Sequence, residues 1–297
     1  GEMLTRLPAP SIPLSTKSTQ CPGHRRTAAL RPRPVAPRSG RCLPHVLLTT
    51  VYCLSSSAHA MAPQEGRIFK ISRDELYKSE PPAEWFGNPE NKKDKHWTND
   101  NWLRSLFHFS FAEYHSSKNS RFGVLRVMND DLVQPARGFG THPHRDMEIM
   151  TYIVEGSLTH QDSMGTSETL GRGAVQFMTA GTGVRHSERN LDPERPLRFI
   201  QMWVEPRQRS LPPNYGSYSS ELADRQDKWL HLASDVGKGA PVQINQECDL
   251  YVSELASGGS LDVSVRKDRQ AYLLCMEGEL SISSTSSVAE GASSLSP

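Results

Sequence analysis

Two short segments carry four side chains that could hold one metal ion. GFGTHPHRDME (138–148) contains His142 and His144, and GTGVRHSERN (181–190) contains His186 and Glu188. Within each pair the ligand-type residues stand one residue apart, and side chains at i and i+2 of a β-strand leave the same face. Two such strands lying antiparallel would aim three imidazoles and one carboxylate into one small volume. Nitrogen and oxygen donors without a thiolate suit Fe(II), Ni, Cu, Mn or Zn. An octahedral ion so held keeps two open positions, enough for a substrate and a second small molecule. That is the arrangement of a catalytic site.

Each pair is preceded by glycines (Gly138 and Gly140; Gly181 and Gly183) that allow close backbone approach. Pro143 stiffens the first pair before any ion is bound. The other histidines lack this pattern, and His160, in LTHQDSMG, is expected at the surface or beside the ligands rather than among them. Pattern alone does not fix the carboxylate. Glu148, four residues after His144, has the parity that Glu188 has with His186, and Asp146 shares it. Whichever one coordinates, the other is left as a hydrogen-bond acceptor or proton carrier.

The elements that must position these residues read as short strands. RFGVLRVMNDD, EIMTYIVEGSLTHQ, GAVQFMTAG and PLRFIQMWVEP are rich in β-branched and aromatic residues and separated by Gly, Asp, Asn and Pro. In the last run, Leu197, Phe199, Gln201 and Trp203 face one way and Arg198, Ile200, Met202 and Val204 the other. This density of strands and turns predicts an all-β antiparallel barrel or sandwich over 61–205. A polar, Pro-rich linker (206–221) then leads to a second β-rich block (222–297) with a single histidine, His231. YIVEGSL (152–158) is echoed by LCMEGEL (274–280), which hints at a duplicated barrel whose second copy lacks ligands.

The chain of 297 residues has a formal net charge of +1, but residues 1–60 carry eight basic side chains and one acid. The remainder is therefore mildly acidic, which speaks against a direct nucleic-acid surface. No run approaches the roughly 18 apolar residues of a membrane span. Five cysteines without a CxxC pattern point to a reducing compartment. The Arg-, Pro- and Ala-rich leader is expected to be disordered. It reads as an organelle transit peptide (plastid or mitochondrion) or as an extension ahead of a cytoplasmic protein starting at Met61. A secretory h-region, VLLTTVYCL before AHA, ranks last.

With these residues in hand, the chain resembles the cupin superfamily and, more closely, the pirin family. GFGTHPHRDMEIMTYIVEG, HQDSMG and GTGVRHSERN resemble the family's first-barrel signature, and NDNWLRSLFHFSFAEYH resembles its bacterial quercetin 2,3-dioxygenase members. The likeness runs from about Asn99 through Trp203 and more loosely to about Ile282. The resemblance implies a bicupin, two antiparallel double-stranded β-helix barrels with metal only in the first. It implies His142, His144, His186 and Glu188 as ligands, favouring Glu188 over Glu148, although general cupins place a glutamate where Glu148 stands. Iron is the usual metal, and the implied activity is opening of a flavonol ring with O2. In that reading Glu188 or Glu148 takes the flavonol proton, and Met150, Tyr152 and Phe177 could wall the substrate. The alternative it implies is a non-enzymatic, iron-binding transcription cofactor, nuclear and with a protein partner. The chain ends 19 residues after the second EG turn (Glu277-Gly278), so the second barrel is expected to be truncated.

Overall fold

Runs that alternate apolar and polar residues, closed by Gly and Asn turns, become strands throughout. The computed structural model describes residues 11–15, 45–54, 68–88, 102–266, 269–283 and 293–295. In chain order the strands begin with β1 (Ser11–Ser15), β2 (His45–Leu54), β3 (Tyr77–Ser79), β4 (Leu103–Phe107) and β5 (Leu125–Val133). Next come β6 (Gly138–His144), β7 (Glu148–Glu155), β8 (Ser157–Asp162), β9 (Ser167–Gly171) and β10 (Ala174–Thr179). They continue with β11 (Val184–Arg189), β12 (Leu197–Val204), β13 (Asn214–Ser219), β14 (Leu230–Asp235) and β15 (Val242–Ile244). The last are β16 (Cys248–Ala256), β17 (Ser260–Ser264), β18 (Arg269–Glu277), β19 (Leu280–Ile282) and β20 (Ser293–Leu295).

These strands build two barrels, each from a larger and a smaller sheet. In the first, a seven-stranded sheet (β13-β10-β7-β12-β5-β4-β3) packs on a four-stranded one (β6-β11-β8-β9). Trp102, Ile153, Leu158, Leu170, Leu197 and Phe199 fill the space between them. The second pairs a five-stranded sheet (β15-β14-β16-β2-β18) with a four-stranded one (β17-β1-β19-β20) around Leu255, Val263 and Leu280. A third apolar cluster joins the barrels: Met150, Tyr152, Phe177 and Ile200 of the first meet Leu232, Val252 and Met276 of the second. The alternation expected along β12 is what makes this work. Its Leu197 face fills the first barrel and its Ile200 face fills the seam. Polar links reinforce the seam: Arg172 reaches both Glu254 and Glu277, and Arg198, paired with Asp130 within the first barrel, donates to the Met276 carbonyl oxygen of the second.

Two expectations require correction. The leader is not without structure: SIPLS forms β1 between β17 and β19, and HVLLTTVYCL forms β2 between β16 and β18. A β-branched apolar run gains ladder hydrogen bonds on both edges inside a sheet, and periodicity alone cannot tell such a strand from an h-region. β2 lies between β18 and β16 as β12 lies between β7 and β5, so strands from the leader occupy positions that complete the second barrel. The rest of residues 1–60 lies outside the described residues. The proposed linker also contributes: its Asn214–Ser219 stretch is β13, paired with β10 along the edge of the first barrel. Among the described residues, no helix is long and apolar enough to cross a membrane.

Candidate metal centre

Strand register assembles the centre on the small sheet of the first barrel. β11 lies between β6 and β8, which puts His186 opposite His142 on one side and Asp162 on the other. His144 stands opposite Val184, and Glu188 stands opposite His160. The β6–β11 register slips between His186 and Glu188, a bulge of the kind that re-aims side chains near functional sites. Gly138 makes the close approach possible, because a Cβ there would overlap the Glu188 carbonyl oxygen and the Arg189 Cα. Gly138→Ala should therefore force β6 and β11 apart, costing about 1–3 kcal/mol. A thermal melt together with metal bound per chain checks this, and both are expected to fall.

The three imidazoles converge as the i, i+2 spacing requires. One ring nitrogen from each of His142, His144 and His186 lies within 4.8 Å of the others. His142 Nε2 and His186 Nε2 are 3.1 Å apart, and His142 Nδ1 is 2.8 Å from the Gly140 carbonyl oxygen. That oxygen can only accept, so His142 Nδ1 is the N–H and Nε2 carries the lone pair. A separation of 3.1 Å is about that of two cis ligands each roughly 2.1 Å from a shared ion. The donor set therefore fits a divalent metal.

Glu188 lies beside His186, near enough to His144 to act on it electrostatically. It is 2% exposed and groups with His186 and His160 rather than with His142 and His144. Its Oε1 accepts hydrogen bonds from Gln176 Nε2 (2.6 Å) and Thr151 Oγ1 (3.1 Å), and its Oε2 accepts one from Gln201 Nε2 (2.9 Å). Gln176 and Thr151 escape notice in the sequence because nothing local marks them. Gln201 lies on the Leu197 face of β12, as strand parity predicts, but nothing in the sequence marks its role at the carboxylate.

Glu148 and Asp146 lie elsewhere. The chain reverses after His144 through Asp146, whose φ is +50°, and Asp146 caps the Ser210 backbone N–H instead. Glu148 then starts β7, on the face shared with Met150 and Tyr152, opposite to that of Thr151. Its oxygens accept hydrogen bonds from Thr179 and from Asn245 of the second barrel, and burial pushes its carboxyl up. Met150, Tyr152 and Phe177 are likewise core of the barrel seam and do not wall the site. The aromatic neighbours of the imidazoles are Phe86 and Phe139 beside His142, and Trp203 at 4.8 Å from His144. Trp203 Nε1 is buried without a protein partner among the described residues.

Burial first, then crowding by neighbouring imidazoles, holds His144 and His186 down at about 3, so both offer lone pairs at neutral pH. Burial also lowers His108 to about 4. Asp131 moves the other way, up to about 8, through burial and then the nearby charges of Asp130 and Glu188. Below pH ~6.5 the unfolded chain binds protons at these three histidines that the folded chain does not, which outweighs the single proton held by folded Asp131. Above it the histidines no longer contribute, and stability falls as pH rises towards 8, because folded Asp131 keeps a proton that the unfolded chain releases. The metal-free protein should thus be most stable near pH ~6.5, losing about 1.4 kcal/mol per pH unit for each net proton. Melting temperatures over a pH series check this, and Asp131→Asn should flatten the alkaline side and steepen the acid side, where its proton no longer offsets those of the histidines.

The profile described as Pirin matches residues 90–204, and that of the quercetinase C-terminal cupin domain matches residues 231–295. The chain is 40% identical over 182 residues to a pirin-like protein of Caulobacter vibrioides, covering 61% of this chain and 78% of that one. It is 38% identical over 184 residues to a quercetin 2,3-dioxygenase of Escherichia coli K12, covering 62% and 78%. Among solved structures it is similar to the bacterial pirin YhhW of Escherichia coli in complex with nickel(II). That likeness has a TM-score of 0.53 at 27% identity and covers 70% of this chain and 94% of that one.

Proposed function

This chain belongs to the pirin family of bicupins, and from that premise we propose that it is a metal-dependent dioxygenase that opens a flavonol-type ring with O2. The observation that carries the reading is the side-by-side placement of three imidazoles and one buried carboxylate. His142, His144 and His186 would hold the ion, with Glu188 rather than Glu148 as the acidic partner. Fe(II) is the metal we favour; the donor set equally accepts nickel, and the Escherichia coli relative carries nickel(II). When bound, the ion would supply Lewis acidity that lowers the pKa of a flavonol hydroxyl and stabilises developing negative charge.

The protein's own groups do the rest. Glu188 Oε2 accepts a single hydrogen bond, so it retains the open lone pair that can take the 3-hydroxyl proton. Gln176, Thr151 and Gln201 hold the carboxylate in place, which limits the reorganisation needed during transfer. Phe86, Phe139 and Trp203 offer an aromatic rim against which a planar substrate can pack while water is excluded.

The test is loss of quercetin absorbance with matching O2 uptake. Iron- or nickel-loaded protein should consume the flavonol, and metal-free protein should not. An unchanged flavonol with every loaded form would leave the binding-protein reading in its place.

A further inference from the structure

Behind the ligands, one more histidine is built into the barrel wall. His160 is 1% exposed, and its Nε2 lies 3.0 Å from Asp162 Oδ2. Its Nδ1 lies 3.4 Å from His186 Nδ1. The ring stacks on Tyr215 with centroids 4.4 Å apart and planes 24° from parallel, and the Tyr215 hydroxyl donates to Glu168. Asp162 is itself anchored, because its Oδ1 accepts the backbone N–H groups of Met164 and Thr166. Neither ring nor carboxylate is free to turn.

What each atom can be decides the direction of these bonds. A carboxylate only accepts, so the His160 nitrogen facing Asp162 carries the hydrogen. With its hydrogen on Nε2, the His160 ring offers a lone pair at Nδ1, and the His186 Nδ1 facing it is then the N–H. An imidazole with its hydrogen on Nδ1 keeps its lone pair on Nε2. In His186 that is the atom 3.1 Å from His142 Nε2.

We propose that Asp162 and His160 form a positioning relay that locks His186 in the Nδ1–H tautomer, so that its Nε2 always presents a lone pair to a divalent cation. The proposal rests on the metal reading above. His142 receives the same assignment by a different route, from the Gly140 carbonyl on its own strand. Two of the three imidazoles are thus fixed by independent partners, one by backbone and one by side chains from β8. Partners of this kind orient a metal-binding histidine and raise its basicity. The opposite tautomer, with His186 Nε2–H donating to His142 Nε2, would close the site to a cation.

Substitution of His160 is the informative change, because Asp162 also holds its own turn together. His160→Phe keeps a ring against Tyr215 and removes both nitrogens, whereas His160→Asn keeps an acceptor near the position of Nδ1. Nitrogen NMR of metal-free wild type should show His186 protonated at Nδ1, and the Phe variant should show a mixture of tautomers. In Ni(II) competition with a chelator, the Phe variant should bind about 10–100-fold more weakly, and the Asn variant within about threefold of wild type. Wild-type protein that takes up no Ni(II) would remove the metal reading itself. Wild type that binds Ni(II) while the Phe variant binds equally well would overturn the relay alone. So would a His186 Nε2–H signal in metal-free wild type, a result that needs no variant to fold.

Discussion

Replacing His186 with alanine is expected to reduce both metal binding and flavonol turnover to background. This imidazole is the member common to both clusters, His142–His144–His186 and His160–His186–Glu188. Its loss removes one of three nitrogen donors and also breaks the side-chain path from Asp162 through His160 to the centre. His160 Nδ1 would be left buried without a donor, which costs about 1–3 kcal/mol in its own right. The metal-free variant should therefore melt below metal-free wild type, a difference that a mere loss of coordination would not produce. Retained metal in this variant would mean that the ion sits elsewhere.

Glu188→Gln should have the second largest effect, with a different signature. Three donors, from Gln176, Thr151 and Gln201, point at the native carboxylate. A glutamine presents one amide nitrogen to that all-donor cage, so one face becomes donor against donor. The substituted side chain also cannot take a proton at neutral pH. Loss of a positioned general base lowers turnover by about 10²–10⁴-fold. The three imidazoles remain, so metal should still bind, weakened but measurable. Flavonol depletion measured at matched metal occupancy checks the prediction, and undiminished turnover would assign proton transfer to another group.

Much of the centre was legible in the sequence because β-strand parity is a strict rule. HPH and HSE stand out as paired ligand-type residues from spacing alone; the strands bring the three imidazoles within 4.8 Å of one another, while Glu188 groups with His186 and His160. The choice between Glu188 and Glu148 was not legible from spacing. It turns on a reversal after His144, where Asp146 adopts a left-handed φ and Glu148 starts a strand in the opposite sheet. Parity counted through such a turn has no meaning. Thr151, Gln176 and Gln201 come from β7, β10 and β12, and only the barrel brings them to one carboxylate. His160 sat in view as a short-range pattern, His-x-Asp, but its purpose depends on the register of β8 against β11. The leader strands are hidden in the sequence for another reason. HVLLTTVYCL has the composition of both a signal core and a buried strand, and its partners lie some 200 residues away in sequence.

The measurement closest to the central claim is the metal content of purified protein, reconstituted with Fe(II) or Ni(II), beside the same protein carrying His144→Ala. The account predicts close to one divalent ion per wild-type chain and almost none in the variant, with both chains folded by circular dichroism. Equal metal in the two proteins, or none in either, would contradict it.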